Sequence, residues 1–300
     1  MRTARLKADY QPTWYHCYNR IAGTRLDLPF GDVEKEKFVR ILRRVSQLYT
    51  VEVVSYQIMS NHFHLLVYAP DQIPDPDEVC RRYNAFHHYK KIITPDSDTC
   101  RIWQHRCRDI SWFMRHLQQL FTGWYNRSRP IRRRGSLWAD RFKHTLLESG
   151  TSAWSCWTYI ENNSVRAGMV RNAADYRFCS HGYWHQTGRH PFSSNVTRTA
   201  LPMLQALFGW KTMAEIRQHM DQALAWKQED DEARMDFALT VQRRVRFWTD
   251  GLVIGSKMYL HEVMARQKSA EELKRHRPAR SRGSTEPIYA WRHLRIAQEA

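Results

Sequence analysis

Two stretches, Val51–Ile58 and Asn61–Tyr68, stand with only Met59 and Ser60 between them. The first is β-branched, and the second runs His62-Phe63-His64-Leu65-Leu66-Val67-Tyr68 before Pro70, Pro74 and Pro76 close it. Both read as strands with a turn between them, which commits this part of the chain to a sheet. Residues i and i+2 of a strand share a face. His62 and His64 therefore point together, while Phe63 turns into the core. Two neutral imidazoles side by side form half of a metal site. Spacing alone leaves the alternative open, since the chain has 15 histidines and two of them can share a surface by chance.

Around this pair the periodicity changes repeatedly. Tyr15–Arg20 reads as a first strand. Asp32 caps a helix to about Tyr49, with Val33, Phe38, Ile41, Leu42, Val45 and Leu48 at helical spacing. Further helices are expected over Asp77–Lys91, Asp109–Tyr125 and Ser152–Asn163, with a returning strand over Arg141–Leu147. Strands interleaved with helices predict an α+β fold. After about Phe192 the texture changes: two short helices over Leu201–Trp226, an acidic link over Lys227–Glu232, a compact unit over Val241–Ala265, and a basic tail over Lys274–Arg282. The expected division is a domain over residues 1–190 and a mostly helical extension over 191–300, with a DNA-binding or interaction role.

Composition narrows the function. The 12 Trp, 14 Tyr and 12 Phe supply a real core, so general disorder is excluded. No apolar run is long enough to span a membrane, and the basic opening Met1–Lys7 has no apolar stretch behind it to make a secretory signal. None of the six cysteines forms a Cys-x-x-Cys pair, so they read as reduced thiols in a cytoplasm rather than a zinc ribbon. Lys and Arg total 47 against 30 acids, a net charge of +17. That field attracts polyanions, nucleic acid first among them, although an anionic membrane surface would also answer to it.

Chemistry gathers at a second place. On the helix ending near Asn163, Tyr159 and Asn163 are four residues apart and face the same way. A phenol can attack phosphorus and form a phosphotyrosine, and an amide oxygen one turn later can join a metal site. Tyr159 can equally be a half-buried aromatic, and Tyr125, also at a helix end beside basic residues, is a rival nucleophile. Arg127, Arg129, Arg132, Arg133, Arg134, Arg141 and Lys143 are placed to hold phosphates, or to form a solvated loop. Trp138 can stack on an unpaired base, or be buried.

Three stretches carry a resemblance. They are Met59-Ser-Asn-His-Phe-His-Leu-Leu-Val67, Gly135-Ser-Leu-Trp-Ala-Asp-Arg-Phe-Lys143 and Tyr159-Ile-Glu-Asn-Asn-Ser-Val-Arg-Ala-Gly-Met-Val170, with Asp175–Ser180 as continuation. Together they resemble the HUH nucleases, and within them the REP-associated tyrosine transposases, over about residues 10–190. The resemblance implies an antiparallel sheet of four or five strands with helices on one face, a ferredoxin- or RRM-like core. It implies His62, His64 and Asn163 as metal ligands and Tyr159 as nucleophile. Two imidazoles and an amide oxygen leave open positions, which suits Mg²⁺ or Mn²⁺. The implied substrate is single-stranded DNA with hairpins of the repetitive palindromic type, cleaved through a 5′-phosphotyrosine and rejoined by a monomer or a homodimer. One departure stands out: the family's Asn-Pro at the helix end is Asn163-Ser164 here. A non-catalytic DNA-binding protein that kept the fold, and an RNA-binding module, are the competing expectations.

Overall fold

The computed structural model describes residues 6–7, 11–24, 27–225, 245–266 and 288–292. The expected acidic link and basic tail lie outside the described residues. Among the described residues six strands form one sheet in the order β2-β3-β1-β4-β5-β6. They are β1 (Thr13–Arg20), β2 (Glu52–Ile58), β3 (His62–Ala69), β4 (Lys143–Leu147), β5 (Gly251–Gly255) and β6 (Tyr289–Arg292). β3 lies between β2 and β1, antiparallel to both, and β1 pairs antiparallel with β4. β4 and β5 are parallel, and β5 and β6 antiparallel.

The α+β class agrees with the expectation, and most of the sheet is antiparallel, but two details differ. Strands β5 and β6 come from beyond residue 190, where a mostly helical extension was expected, and they continue the sheet from β4. Helices also cover both faces rather than one. On one face, Phe63, Leu65 and Val67 of β3 pack with Phe38 and Leu42 of α1 (Asp32–Leu48) and with Phe113, Leu117 and Phe121 of α4 (Ile110–Arg127). On the other, Leu66, Val54 and Leu147 pack with Trp157 and Ile160 of α5 (Thr151–Glu161). The physical reason is written in β3 itself. Leu65 and Leu66 are adjacent and both apolar, so they face opposite sides, and a strand apolar on both sides needs two covering layers.

Local chemistry sets the helix ends. Asp75 accepts hydrogen bonds from the Asp77 and Glu78 amides and starts α2 (Pro76–Phe86). That helix stops short of the expected Lys91, because His88 and Tyr89 take left-handed φ values of 52° and 55°. A short α3 (Asp98–Arg106), capped by Ser97, was not anticipated. Asp109 caps α4 through the Ser111 and Trp112 amides. Val33, expected on the buried side of α1, is 68% exposed in its first turn.

The later chain forms α6 (Asn163–Arg166), α7 (Ser180–Thr187) and α8 (Ser193–Asn195), which runs through a π turn into α9 (Leu201–Phe208). Then come α10 (Met213–Leu224), α11 (Val245–Thr249) and α12 (Lys257–Ala265). Among the described residues no helix is long and apolar enough to cross a membrane. All six cysteines are buried free thiols.

Candidate functional site

Alternation along β3 sends His62 and His64 to the face covered by α5, with ring centroids 5.2 Å apart. Register decides their neighbours. Arg20 stands opposite His62, Tyr18 opposite His64, and His16 opposite Leu66. His16 is therefore the diagonal neighbour of His64, within reach of long side chains. Its Nε2 lies 2.8 Å from Nδ1 of His64, and the two rings stack at 5.0 Å.

Protons along this line can be assigned from one end. The Trp248 carbonyl only accepts, and it lies 3.2 Å from Nδ1 of His16. His16 therefore carries its proton on Nδ1 and offers the Nε2 lone pair. His64 then donates from Nδ1 to His16, which leaves its own Nε2 as a lone pair. A similar device acts at His62, whose Nδ1 lies 2.7 Å from Oδ1 of Asn61; donation there frees Nε2 again. Burial holds all three rings neutral: His16 is pushed down to about 3, His62 to about 4, and His64 well below its ordinary value. Two neutral imidazoles with oriented Nε2 lone pairs and hydrogen-bonded far sides are the donor set a divalent ion takes. The residues present thus fit a divalent ion at His62 and His64.

Tyr159 reaches this pair from α5. Its ring centroid is 5.9 Å from that of His64 and 5.9 Å from that of His16, both edge-on. The phenol is buried and stacks on Trp248 at 5.4 Å. Its hydroxyl lies in the interior without a well-formed hydrogen bond. Burial pushes the phenol up to about 12, against the pull of Arg166, whose guanidinium carbon sits 5.0 Å from the ring centroid. Asn163 is not on the same unbroken helix. α5 ends at Glu161, and Asn163 opens α6. Its amide nitrogen donates to the carbonyls of Tyr159 and Ile160, at 3.1 and 3.2 Å. Those bonds fix the amide, satisfy carbonyls at the helix end and leave Oδ1 as the atom that could ligate.

The other expected residues divide. Tyr125 is buried on the opposite face of the sheet, among Phe30 and Phe121, so the rival nucleophile is removed from the histidines. Trp138 is 8% exposed and packs on Phe63, Phe38 and Phe121. That is core, and no face of the ring is offered to a base. Arg129 stacks on Tyr125 and pairs with Glu34 at 2.5 Å. Arg133 donates to Asn126 and to the Ser136 carbonyl. These two arginines shape the loop. Arg127, Arg132, Arg134, Arg141 and Lys143 are exposed.

Sequence reasoning missed four contributors: His16, Tyr18, Arg166 and Trp248. His16 and Tyr18 left a weak signal, since both take the same parity on β1 with Trp14. Arg166 lies seven residues after Tyr159, inside a stretch already singled out. Trp248 left none. Its carbonyl is held by Thr145 Oγ1 at 3.1 Å, and the Tyr18 hydroxyl donates to the neighbouring Thr249 carbonyl.

No protein-family model matches the chain, and no curated protein matches it. Among solved structures, one described as a REP-associated tyrosine transposase bound to a REP hairpin aligns with a TM-score of 0.40 and 16% identity. The alignment covers 63% of this chain and 86% of that one. Likeness of that size transfers no residue's role, and the site rests on its own geometry.

Proposed function

We propose that this protein is a metal-dependent single-stranded DNA endonuclease and strand transferase of the HUH type, related to the REP-associated tyrosine transposases. The observation that carries the reading is the convergence just described: two imidazoles held neutral, with their Nε2 atoms unengaged, beside a tyrosine on a neighbouring helix. His62 and His64 would hold Mg²⁺ or Mn²⁺, with Oδ1 of Asn163 as third ligand. Bound there, the ion would polarise the scissile phosphate.

The residues supply the rest. Tyr159 oxygen attacks phosphorus, its proton leaves to solvent, and a 5′-phosphotyrosine forms. The bond from phosphorus to the 3′ oxygen breaks, and that oxygen takes up a proton to become a free 3′-hydroxyl. A later 3′-hydroxyl reverses the exchange and reseals DNA without ATP. Arg166 beside the phenol stabilises negative charge on the attacking oxygen and on the phosphate. The exposed Arg127, Arg132, Arg134, Arg141 and Lys143 would grip the backbone of a hairpin substrate. Residues 191–300 would add DNA contacts to the nuclease domain of residues 1–190. The phenol has to be uncovered first, because Trp248 of α11 lies on it.

That cover also favours a second reading, a non-catalytic binder of DNA hairpins in which Tyr159 is a core residue. A covalent adduct assay separates the two. Hairpin oligonucleotides drawn from repeats flanking the gene, with Mn²⁺, should give a protein–DNA adduct that survives denaturation and disappears in Tyr159→Phe. Retarded mobility without any adduct from the unmutated protein assigns the binder instead.

A further inference from the structure

A second cluster of ligating side chains lies on elements that carry none of the residues above. His181 and His185 are four apart on α7 and so share a face. Their ring centroids are 4.5 Å apart. Asp221 of α10 meets them, and both Nε2 atoms converge on its Oδ1, His185 at 2.6 Å and His181 at 3.0 Å. The three ligand atoms all lie within 4.8 Å of one another. His181 is 3% exposed, and its Nδ1 is buried without a hydrogen-bond partner. The Asp221 carboxylate is 41% exposed, which leaves an entry from solvent.

We propose that His181, His185 and Asp221 form a Zn²⁺ site, separate from His62 and His64, that fastens α10 to α7. Two imidazole nitrogens and one carboxylate oxygen, with a water as fourth ligand, are a donor set zinc takes in tetrahedral geometry. Tetrahedral ligation at about 2.0–2.2 Å requires the ligand atoms to stand roughly 3.3 Å apart. The trio would open by less than 1 Å on the His185 side, where the present separation is 2.6 Å. The protons balance. Without the ion, each Nε2–H donates to Asp221. With it, each ring keeps its single proton on Nδ1, and Nε2 ligates.

That proton shift exposes a competitor. Arg217 Nη2 lies 3.1 Å from Nδ1 of His185. Arginine only donates, so this contact needs Nδ1 as an acceptor and stabilises the metal-free tautomer. Zinc binding has to displace it. Arg217 therefore sets the affinity, and an acceptor in its place would raise it.

The test uses full-length, metal-free protein carrying His62→Ala, which disables the other site at a residue only half-buried. Zn²⁺ is titrated against a chromophoric chelator, and Co²⁺ gives an independent visible spectrum of tetrahedral ligation. One equivalent of Zn²⁺ should bind. Asp221→Asn and His185→Asn should each weaken binding at least ~10-fold, the scale at which a lost ligand or its support acts. Arg217→Gln, whose side-chain oxygen accepts the Nδ1 proton, should tighten it several-fold, a gain that misfolding cannot imitate. Absence of binding, affinity unchanged by Asp221→Asn and His185→Asn, or no tightening in Arg217→Gln each overturns the proposal.

Discussion

Replacing His16 by Phe tests whether the imidazole line from Trp248 to His64 orients a metal ligand. The substitution keeps a ring of similar size in a fully buried position, so the packing around β1 changes little. It removes the acceptor 2.8 Å from Nδ1 of His64. A buried N–H left without a partner costs about 1–3 kcal/mol. His64 can escape that cost by rotating or by moving its proton to Nε2, and either change withdraws the lone pair that the proposed ion would use. Loss of such an outer support lowers metal affinity about 10–100-fold. Mn²⁺ binding is followed by electron paramagnetic resonance in an Asp221→Asn background, so that only the His62–His64 site responds. His16→Gln supplies an oxygen acceptor at a similar reach and should recover much of the loss. A purely structural role for His16 would leave Mn²⁺ affinity within twofold in His16→Phe, or would make Gln as harmful as Phe. Either result refutes the tautomer argument.

Three further outcomes are expected. Burial depresses His16 to about 3, His62 to about 4 and His190 to about 3, from an ordinary value of 6.5. The unfolded chain therefore binds more protons between those values, and stability falls as pH drops from about 6.5 toward 4, by about 1.4 kcal/mol per pH unit for each histidine; a urea midpoint that stays level or rises from pH 7 to pH 5 contradicts this. Trp138→Ala should cost about 3–5 kcal/mol of stability, as for a large aromatic removed from a core, whereas a stacking role would weaken DNA binding with stability unchanged in denaturant melts. Gly182→Ala should sharply reduce the yield of folded protein, because a Cβ there would lie 2.1 Å from the Tyr176 carbonyl oxygen; normal thermal melts from Gly182→Ala would show that this approach between α7 and the preceding turn is not needed.

Sequence by itself determined what short-range periodicity can encode. A period of two placed His62 and His64 on one face with Phe63 behind them, and near-helical spacing placed Tyr159 close to Asn163. The apolar rhythms of α1 and α4 were legible for the same reason: backbone geometry alone dictates which neighbours in sequence share a face. Even the need for two helical layers was present in the adjacent Leu65 and Leu66, where the period-two pattern gives way to an apolar run.

What only the tertiary structure decided depends on strand register and on contacts between distant segments. The pairing of β1 with β3 made His16, rather than another of the 15 histidines, the partner of His64. The parallel pairing of β4 with β5 brought in a segment whose Trp248 carbonyl fixes that partner's proton, 232 residues along the chain from His16. Which aromatic ends in the core and which beside the histidines, Tyr125 and Trp138 or Tyr159, follows from the face of the sheet each helix covers. No local pattern specifies that face, because the choice is made by burial summed over the whole sheet.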